Sequence, residues 1–86
     1  MPGVEEVKLH ITASVDDIER AIVGMRGVVE QLEQAITRLR STTTGSVHPR
    51  ATEALLRVEQ AKQKMEEAQV LALGGIDAAR AYHTIL

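Results

Sequence analysis

The sequence contains no cysteine, tryptophan or phenylalanine, and its one tyrosine is its only aromatic residue. Without cysteine, the chain can form neither disulfides nor thiolate metal sites. Without large aromatic side chains, a core must be built from Val, Ile, Leu, Met and Ala, which favours packed helices over a sandwich or barrel. We therefore expect an all-α protein, a single domain over residues 1–86 with a core that is marginal on its own.

An excess of charge of one sign is also missing, because ten Lys and Arg stand against twelve Asp and Glu. This balance argues against a general nucleic-acid binder and against a polybasic membrane-surface protein. The N-terminus lacks the basic and apolar regions of a cleavable signal peptide, and the longest apolar run, residues 70–76, is far shorter than the ~20 residues of a membrane span. We expect a cytoplasmic protein without a membrane span; secretion without a cleavable signal peptide is the alternative.

The first half of the sequence carries apolar residues at every seventh position. We call this row the spine of the first helix: Val4, Ile11, Ile18, Met25, Leu32 and Leu39. One flank of this spine consists of Lys8, Val15, Ile22, Val29 and Ile36, and the other of Val7, Ser14, Ala21, Val28 and Ala35. Either flank, combined with the spine, gives the 4,3 alternation of a helix that packs along a seam. The pattern predicts one helix over about residues 4–41. Ser14 and Asp17 resemble a capping box, so a start at Val15 or a kink near Thr12–Ser14 is the alternative.

A second helix follows a clear interruption. Residues 41–46 combine small polar and β-branched residues with Gly45, which is typical of a helix end and a loop. Pro49 suits the first turn of a new helix, and either Ser46 or His48 is placed to cap it. We therefore predict a loop over 42–48 and a helix over about 49–85, rich in strong helix formers. Two helices of nearly equal length joined by a short loop are expected to pack antiparallel.

The second helix has its own seven-residue spine, and the two spines meet in a constant register when the chain folds at the loop. Leu32 then faces Val58, Met25 faces Met65, and so on toward both ends. We predict a coiled-coil-like hairpin seam made of these twelve residues: Val4, Ile11, Ile18, Met25, Leu32, Leu39, Ala51, Val58, Met65, Ala72, Ala79 and Leu86.

The first helix is too apolar for a single partner helix. A two-stranded seam needs two apolar positions per heptad, whereas this helix offers three. We expect the surplus flank to form an association stripe of four residues, Val15, Ile22, Val29 and Ile36. The predicted assembly is a dimer of hairpins forming a four-helix bundle, or a hairpin docked on another helical protein.

Residues that carry chemistry do not form a recognisable catalytic or metal-binding pattern. The three histidines lack the paired spacing of metal ligands, the paired acids lie on adjacent helical positions, and no phosphate-binding loop occurs. We expect no enzyme activity, no cofactor and no small-molecule substrate. Four glycines inside the helices are compatible with close packing of another helix, with a kink at the level of Gly74–Gly75, or with simple tolerance: Gly24, Gly27, Gly74 and Gly75.

Basic residues collect near the predicted loop. This candidate basic tip comprises Arg38, Arg40, Arg50 and Arg57, with His48 beside it, and Glu53 is expected to be the only acid near it in the folded chain. Such a tip could contact an acidic protein or phosphate surface, although no aromatic side chain is present to stack on bases.

The layout resembles small actinobacterial helical hairpins, broadly the Trp-x-Gly family exported by type VII secretion. The resemblance consists of length, two-helix form and composition. Thr44-Gly45-Ser46 stands where that family has Trp-x-Gly, and Tyr82 is followed by Leu86 where its export signal has an acid. The resemblance implies a secreted or toxin-associated hairpin that works as half of a heterodimer.

Three functions are therefore compatible with the sequence. The first is a non-catalytic interaction or scaffold module that self-associates or docks on a helical partner. The second is the type VII class of hairpin. The third is a nucleic-acid or regulatory protein that uses the basic tip.

Overall fold

The computed structural model describes residues 3–86 and contains two helices, α1 (Val4–Thr43) and α2 (Pro49–Ile85), with no strand among those residues. Glu19 of α1 pairs with Arg80 of α2, and Arg40 pairs with Glu59, so the two helices run antiparallel. The predicted all-α helical hairpin is confirmed. The hairpin is 64 Å long and 18 × 15 Å in cross-section, which corresponds to a single layer of two helices.

Helix α1 is continuous from its first residue. It begins at Val4, with Glu5 and Glu6 in the first turn, where carboxylates interact favourably with the positive end of the helix dipole. Residues 12–14 are helical, and Thr12 Oγ1 donates to the Lys8 carbonyl at 3.0 Å. The alternative start at Val15 is therefore wrong, because the threonine bonds back to the preceding turn and does not interrupt the helix.

Three threonines carry α1 two residues beyond its predicted end at residue 41. Their hydroxyls donate to the carbonyls four residues earlier, at 2.8, 2.7 and 2.6 Å, for Thr42, Thr43 and Thr44 respectively. Because the last carbonyls of a helix lack backbone partners, these hydroxyls offset the low helix propensity of β-branched residues. The helix ends before Gly45, which has a φ of +80°, a conformation that glycine adopts without steric cost.

Histidine 48 caps the second helix. The backbone N–H of Arg50 donates to His48 Nδ1 at 3.1 Å, and the N–H of Ala51 donates to the His48 carbonyl at 3.0 Å. Pro49 occupies the first turn, as expected, since its missing N–H would have no helical partner there. Of the two predicted caps, Ser46 instead accepts a hydrogen bond from the His48 N–H at 3.3 Å and shapes the loop.

Removing the His48 cap is expected to destabilise the hairpin. His48→Ala leaves the Arg50 N–H without its side-chain acceptor, at a cost of about 1 kcal/mol in unfolding free energy. His48→Asp should retain or raise the stability, because Asp is a preferred cap and is anionic at the positive helix end. Thermal unfolding followed by circular dichroism measures both, with the fully exposed Val47→Ala as control. Equal midpoints for all three variants would contradict the capping role.

The interface between the helices uses the spine of α1 together with its larger flank. Val15, Ile22 and Ile36 are buried, and Val29 is half-buried. In α2, Ile76 is buried against Val15 and Ile22. The prediction that these flank residues form a free association stripe is therefore wrong, since α2 covers them within one chain.

The size of the side chains on the two flanks of α1 explains why the larger flank faces α2. Both give the same 4,3 alternation with the spine, so both could face α2. The flank with Val15, Ile22, Val29 and Ile36 carries larger apolar side chains than the flank with Ser14, Ala21, Val28 and Ala35, so turning it inward removes more apolar surface from water.

The predicted seam lies in the interface along most of its length. Its ten inner members, from Ile11 to Leu39 and from Ala51 to Ala79, are half-buried, whereas Val4 and Leu86 at the ends are exposed. Ile76, the most buried of the described residues, lies outside the predicted seam. The residues spaced by seven from Ile76 include Lys62, Gln69 and His83. Because these polar residues interrupt the row, the sequence pattern does not indicate that Ile76 and Leu55 are core positions.

The helical glycines are not required by the packing of the hairpin. A Cβ atom built on Gly24, Gly27, Gly74 or Gly75 meets no other atom within 4 Å, and both helices continue through these positions. Close approach of α1 and α2 is therefore not the reason for glycine at these sites.

Candidate interaction surfaces

One long edge of the hairpin interface is lined with ion pairs. Arg80 donates to Glu19 Oε1 at 2.9 Å near the terminal end, and Arg40 donates to Glu59 Oε1 at 2.7 Å near the loop. Between them, Lys62 Nζ lies 3.4 Å from Glu33 Oε1. We call this side the charged edge. Because the side chains are partly solvated, each pair contributes at most about 1 kcal/mol, but together they favour one register and orientation of the helices.

The opposite edge of the interface carries no charge at its flanking positions. Helical geometry puts the smaller flank of α1 there, and the matching row of α2 consists of small residues followed by one tyrosine. These α2 residues are Ala54, Ala61, Ala68, Gly75 and Tyr82. The two edges therefore differ: one is closed by long charged side chains, and the other is lined mainly by small uncharged side chains.

A second apolar row on α2 borders this uncharged edge. Together with three members of the small row it forms a stripe that we call the outer stripe: Ala68, Leu71, Gly75, Ala78, Tyr82 and Ile85. Leu71 is 76% exposed and Ile85 is 80% exposed, while Tyr82 is half-exposed. The outer stripe was not predicted from the sequence, although its residues recur in steps of three and four, the spacing typical of a helix that packs along a seam. In α2, only the residues of the hairpin seam were predicted to pack against another helix.

The predicted basic tip is largely neutralised by acids. Arg40 pairs with Glu59, and Arg50 and Arg57 both pair with Glu53, at 2.9 and 3.1 Å. The expectation that Glu53 is the only nearby acid is wrong, because the fold brings Glu59 to Arg40 from the second helix. Of the four arginines, only Arg38 takes part in no ion pair within residues 3–86. The arrangement weakens the case for a phosphate-binding tip, since paired guanidinium groups release fewer counterions on binding.

The histidines do not converge on a common site. His10 Nε2 lies 3.9 Å from Glu6 Oε1 on the same exposed face of α1, and His48 caps α2 at the other end of the hairpin. His83 is half-buried and lines an open groove with Asp16 and Glu19. No group of three His, Asp or Glu side chains within residues 3–86 is arranged to hold a metal ion.

Within the described residues, neither helix contains a segment that is both long enough and apolar enough to cross a membrane. No protein-family model matches the chain, and no curated protein or solved structure was found to match it. The resemblance to the Trp-x-Gly family therefore stays a prediction.

Proposed function

We propose that the chain is a non-catalytic interaction or scaffold module, which works by packing the outer faces of its hairpin against other helices. The observation that carries this proposal is the distribution of apolar side chains. Within residues 3–86, only four are buried and none completely, whereas twelve large apolar residues are exposed. The exposed set is Val4, Leu9, Val23, Val28, Val47, Leu56, Val70, Leu71, Leu73, Tyr82, Ile85 and Leu86.

The total surface supports the same proposal. The hairpin exposes 6470 Å². A compact monomer of its 9.4 kDa mass would expose about 5,000 Å². The excess of about 1,500 Å² arises because a single layer of two helices covers each helix on one side only. A second layer of helices would cover part of that surface and supply the core that one hairpin lacks.

The polar side chains also favour interaction over catalysis. No polar or charged side chain within residues 3–86 is buried, and the ion pairs between the two helices line open grooves. Catalytic groups are typically partly desolvated in a cleft, where their reactivity is altered. The charged residues of this hairpin are better suited to keeping the outer helical faces soluble and to fixing the helix register.

A dependence of stability on protein concentration tests the proposal. Because folding is expected to be coupled to association, the thermal midpoint should rise with concentration. Between about 1 and 100 µM, a homodimer of this size should gain about 5–10 °C. Circular dichroism measures the midpoint, and sedimentation equilibrium on the same samples measures the molar mass.

A monomeric mass with a concentration-independent midpoint would contradict self-association. If that monomer also had an unfolding free energy above about 5 kcal/mol, the hairpin would be stable without any partner. The small core would then be sufficient for a stable monomer, and the proposed need for a helical partner would be contradicted.

A further inference from the structure

We propose that the occupant of the outer stripe is a second copy of this chain, packed antiparallel through α2 of both copies. This inference rests on the proposed function, since it names the partner and the face used. It is carried by four observations: the spacing and exposure of the stripe, its position around α2, its complementarity to itself, and the excess surface of the hairpin.

The outer stripe has the pattern of a helix–helix seam but no helix on it. Its members recur in steps of three and four over five turns, as do Ala72, Ile76 and Ala79, which pack against α1. Its large residues are exposed, with Leu71 at 76% and Ile85 at 80%. Half of the twelve exposed large apolar residues lie between residues 70 and 86, so apolar exposure is concentrated on this end of α2.

The stripe points in the direction that a second layer of helices requires. At 3.6 residues per turn, its centre lies about 100° around α2 from the centre of the hairpin seam. In a four-helix bundle each helix contacts two neighbours at roughly a right angle to each other. Helix α2 therefore offers one face to α1 and a second to a helix at the adjacent corner.

The stripe is complementary to itself when reversed. With a twofold axis between Gly75 and Ala78, these two small residues meet at the centre. On either side, Leu71 meets Tyr82 of the second copy, and Ala68 meets Ile85 of the second copy. Away from the axis, the small Ala68 pairs with the larger Ile85, and the branched Leu71 packs against the planar ring of Tyr82, which permits close interdigitation. A parallel arrangement would set Gly75 against Gly75 and Tyr82 against Tyr82, leaving one gap and one crowded layer.

Charges do not oppose this pairing. From Ala68 to Leu86, the only Asp, Glu, Lys or Arg residues are Asp77 and Arg80. Arg80 is held by Glu19 on the charged edge, on the other side of the seam from the stripe. Asp77 lines the groove on that same side, together with Ile22 and Arg80. Two stripes can therefore approach without bringing like charges together.

A dimer interface of standard size would account for about half of the surplus surface of the whole hairpin. A specific interface of standard size buries ~800 Å² on each partner. The hairpin exposes about 1,500 Å² more than a compact monomer of its mass, so a contact of standard size fits within the excess.

Neighbouring residues of similar exposure provide the matched test. Leu71 lies in the outer stripe, whereas Val70, at 69% exposed, lies about 100° away on the same helix. Sedimentation equilibrium of the full chain should give a dimer for the wild type and for Val70→Glu. Leu71→Glu should weaken dimerisation by at least about a hundredfold, so that the mass at micromolar concentration falls to 9.4 kDa.

The adjacent glycines give a second test that adds no charge. Both are exposed helical positions with open space around a Cβ atom, but only Gly75 lies in the stripe. Gly75→Leu should prevent the close approach at the twofold axis and yield a monomer, whereas Gly74→Leu should remain a dimer. Because both substitutions raise helix propensity equally, a difference between them reports on the interface and not on the hairpin.

Engineered cysteines test the direction of packing, since the natural chain has none. A mixture of Leu71→Cys and Tyr82→Cys chains should form a heterodisulfide on mild oxidation, and Leu71→Cys alone should not cross-link. Efficient cross-linking of Leu71→Cys alone would indicate parallel packing and overturn the proposed order.

The outcomes separate this inference from the proposed function. A wild-type dimer that survives both Leu71→Glu and Gly75→Leu would overturn the outer stripe as the interface, while leaving self-association intact. A wild-type monomer with a concentration-independent midpoint would overturn this inference, and it would overturn the proposed function as well if its unfolding free energy exceeded about 5 kcal/mol. Dissociation by the stripe variants and not by Val70→Glu or Gly74→Leu would support both, whether or not the resulting monomer keeps its helicity.

Discussion

Replacing Ile22 with glutamate is expected to unfold the hairpin. Ile22 is 4% exposed and packs with Val15 and Ile76 at the centre of the main buried cluster. The substitution removes a buried aliphatic side chain and forces a carboxylate to be desolvated or the helices to separate, at a cost of at least about 4 kcal/mol. Because a domain of this size has little stability in reserve, most of the helical circular dichroism signal should be lost.

The adjacent residue supplies the control for this prediction. Val23 is 65% exposed on the same turn of α1, so Val23→Glu adds the same charge without entering the interface. Its unfolding free energy should change by less than about 0.5 kcal/mol. If Ile22→Glu instead kept full helicity while changing only the molar mass, Ile22 would belong to an intermolecular contact, and the hairpin packing described above would be incorrect.

The second large effect is a stabilisation. Replacing Gly24, Gly27 and Gly74 together with alanine should raise the unfolding free energy by about 2–3 kcal/mol, since each glycine costs nearly 1 kcal/mol in a helix interior. None of the three new methyl groups meets another atom within 4 Å, and none of the positions lies in the seam or the outer stripe. The thermal midpoint should increase by about 10 °C or more at fixed protein concentration.

The same substitution at Gly45 should have the opposite sign. Space is open there as well, but the backbone has a φ of +80°, which strains any residue with a Cβ atom. Gly45→Ala should therefore lower the unfolding free energy by about 1 kcal/mol. If the triple variant were also destabilised, or failed to form the dimer, the helical glycines would serve a contact with another molecule that the isolated hairpin does not reveal.

Much of the hairpin was predictable because its determinants are local. The helix formers of α2, Pro49 at its start, and the polar run around Gly45 act within a few residues, so the two helices and the loop follow from sequence. Local rules were less accurate at the end of α1, where the back-bonding threonines extend the helix to Thr43. They also left Ser46 and His48 as equal candidates for a cap that only His48 provides.

The interaction surfaces were predicted less well, since they depend on pairs of residues far apart in sequence. Glu59 neutralises Arg40 across the interface, so the basic tip that the sequence indicates is mostly paired. The row containing Ile76 was hidden by Lys62, Gln69 and His83, although Ile76 is the most buried residue described. A polar residue in a heptad row is tolerated where its chain can reach solvent or an acid, as Lys62 does toward Glu33.

The sequence alone determined that this protein forms two antiparallel helices with more apolar surface than one seam can bury. The reason is that the seven-residue spacing of apolar residues can be read directly from the sequence. The sequence did not determine which apolar face is the surplus one. Val15, Ile22, Val29 and Ile36 satisfied the repeat no better than the smaller flank did. Only the packing of α2 against α1 removed that ambiguity, by covering the larger side chains. The surplus apolar surface therefore does not include this larger flank of α1, and in α2 it includes Leu71, Tyr82 and Ile85, which stay exposed.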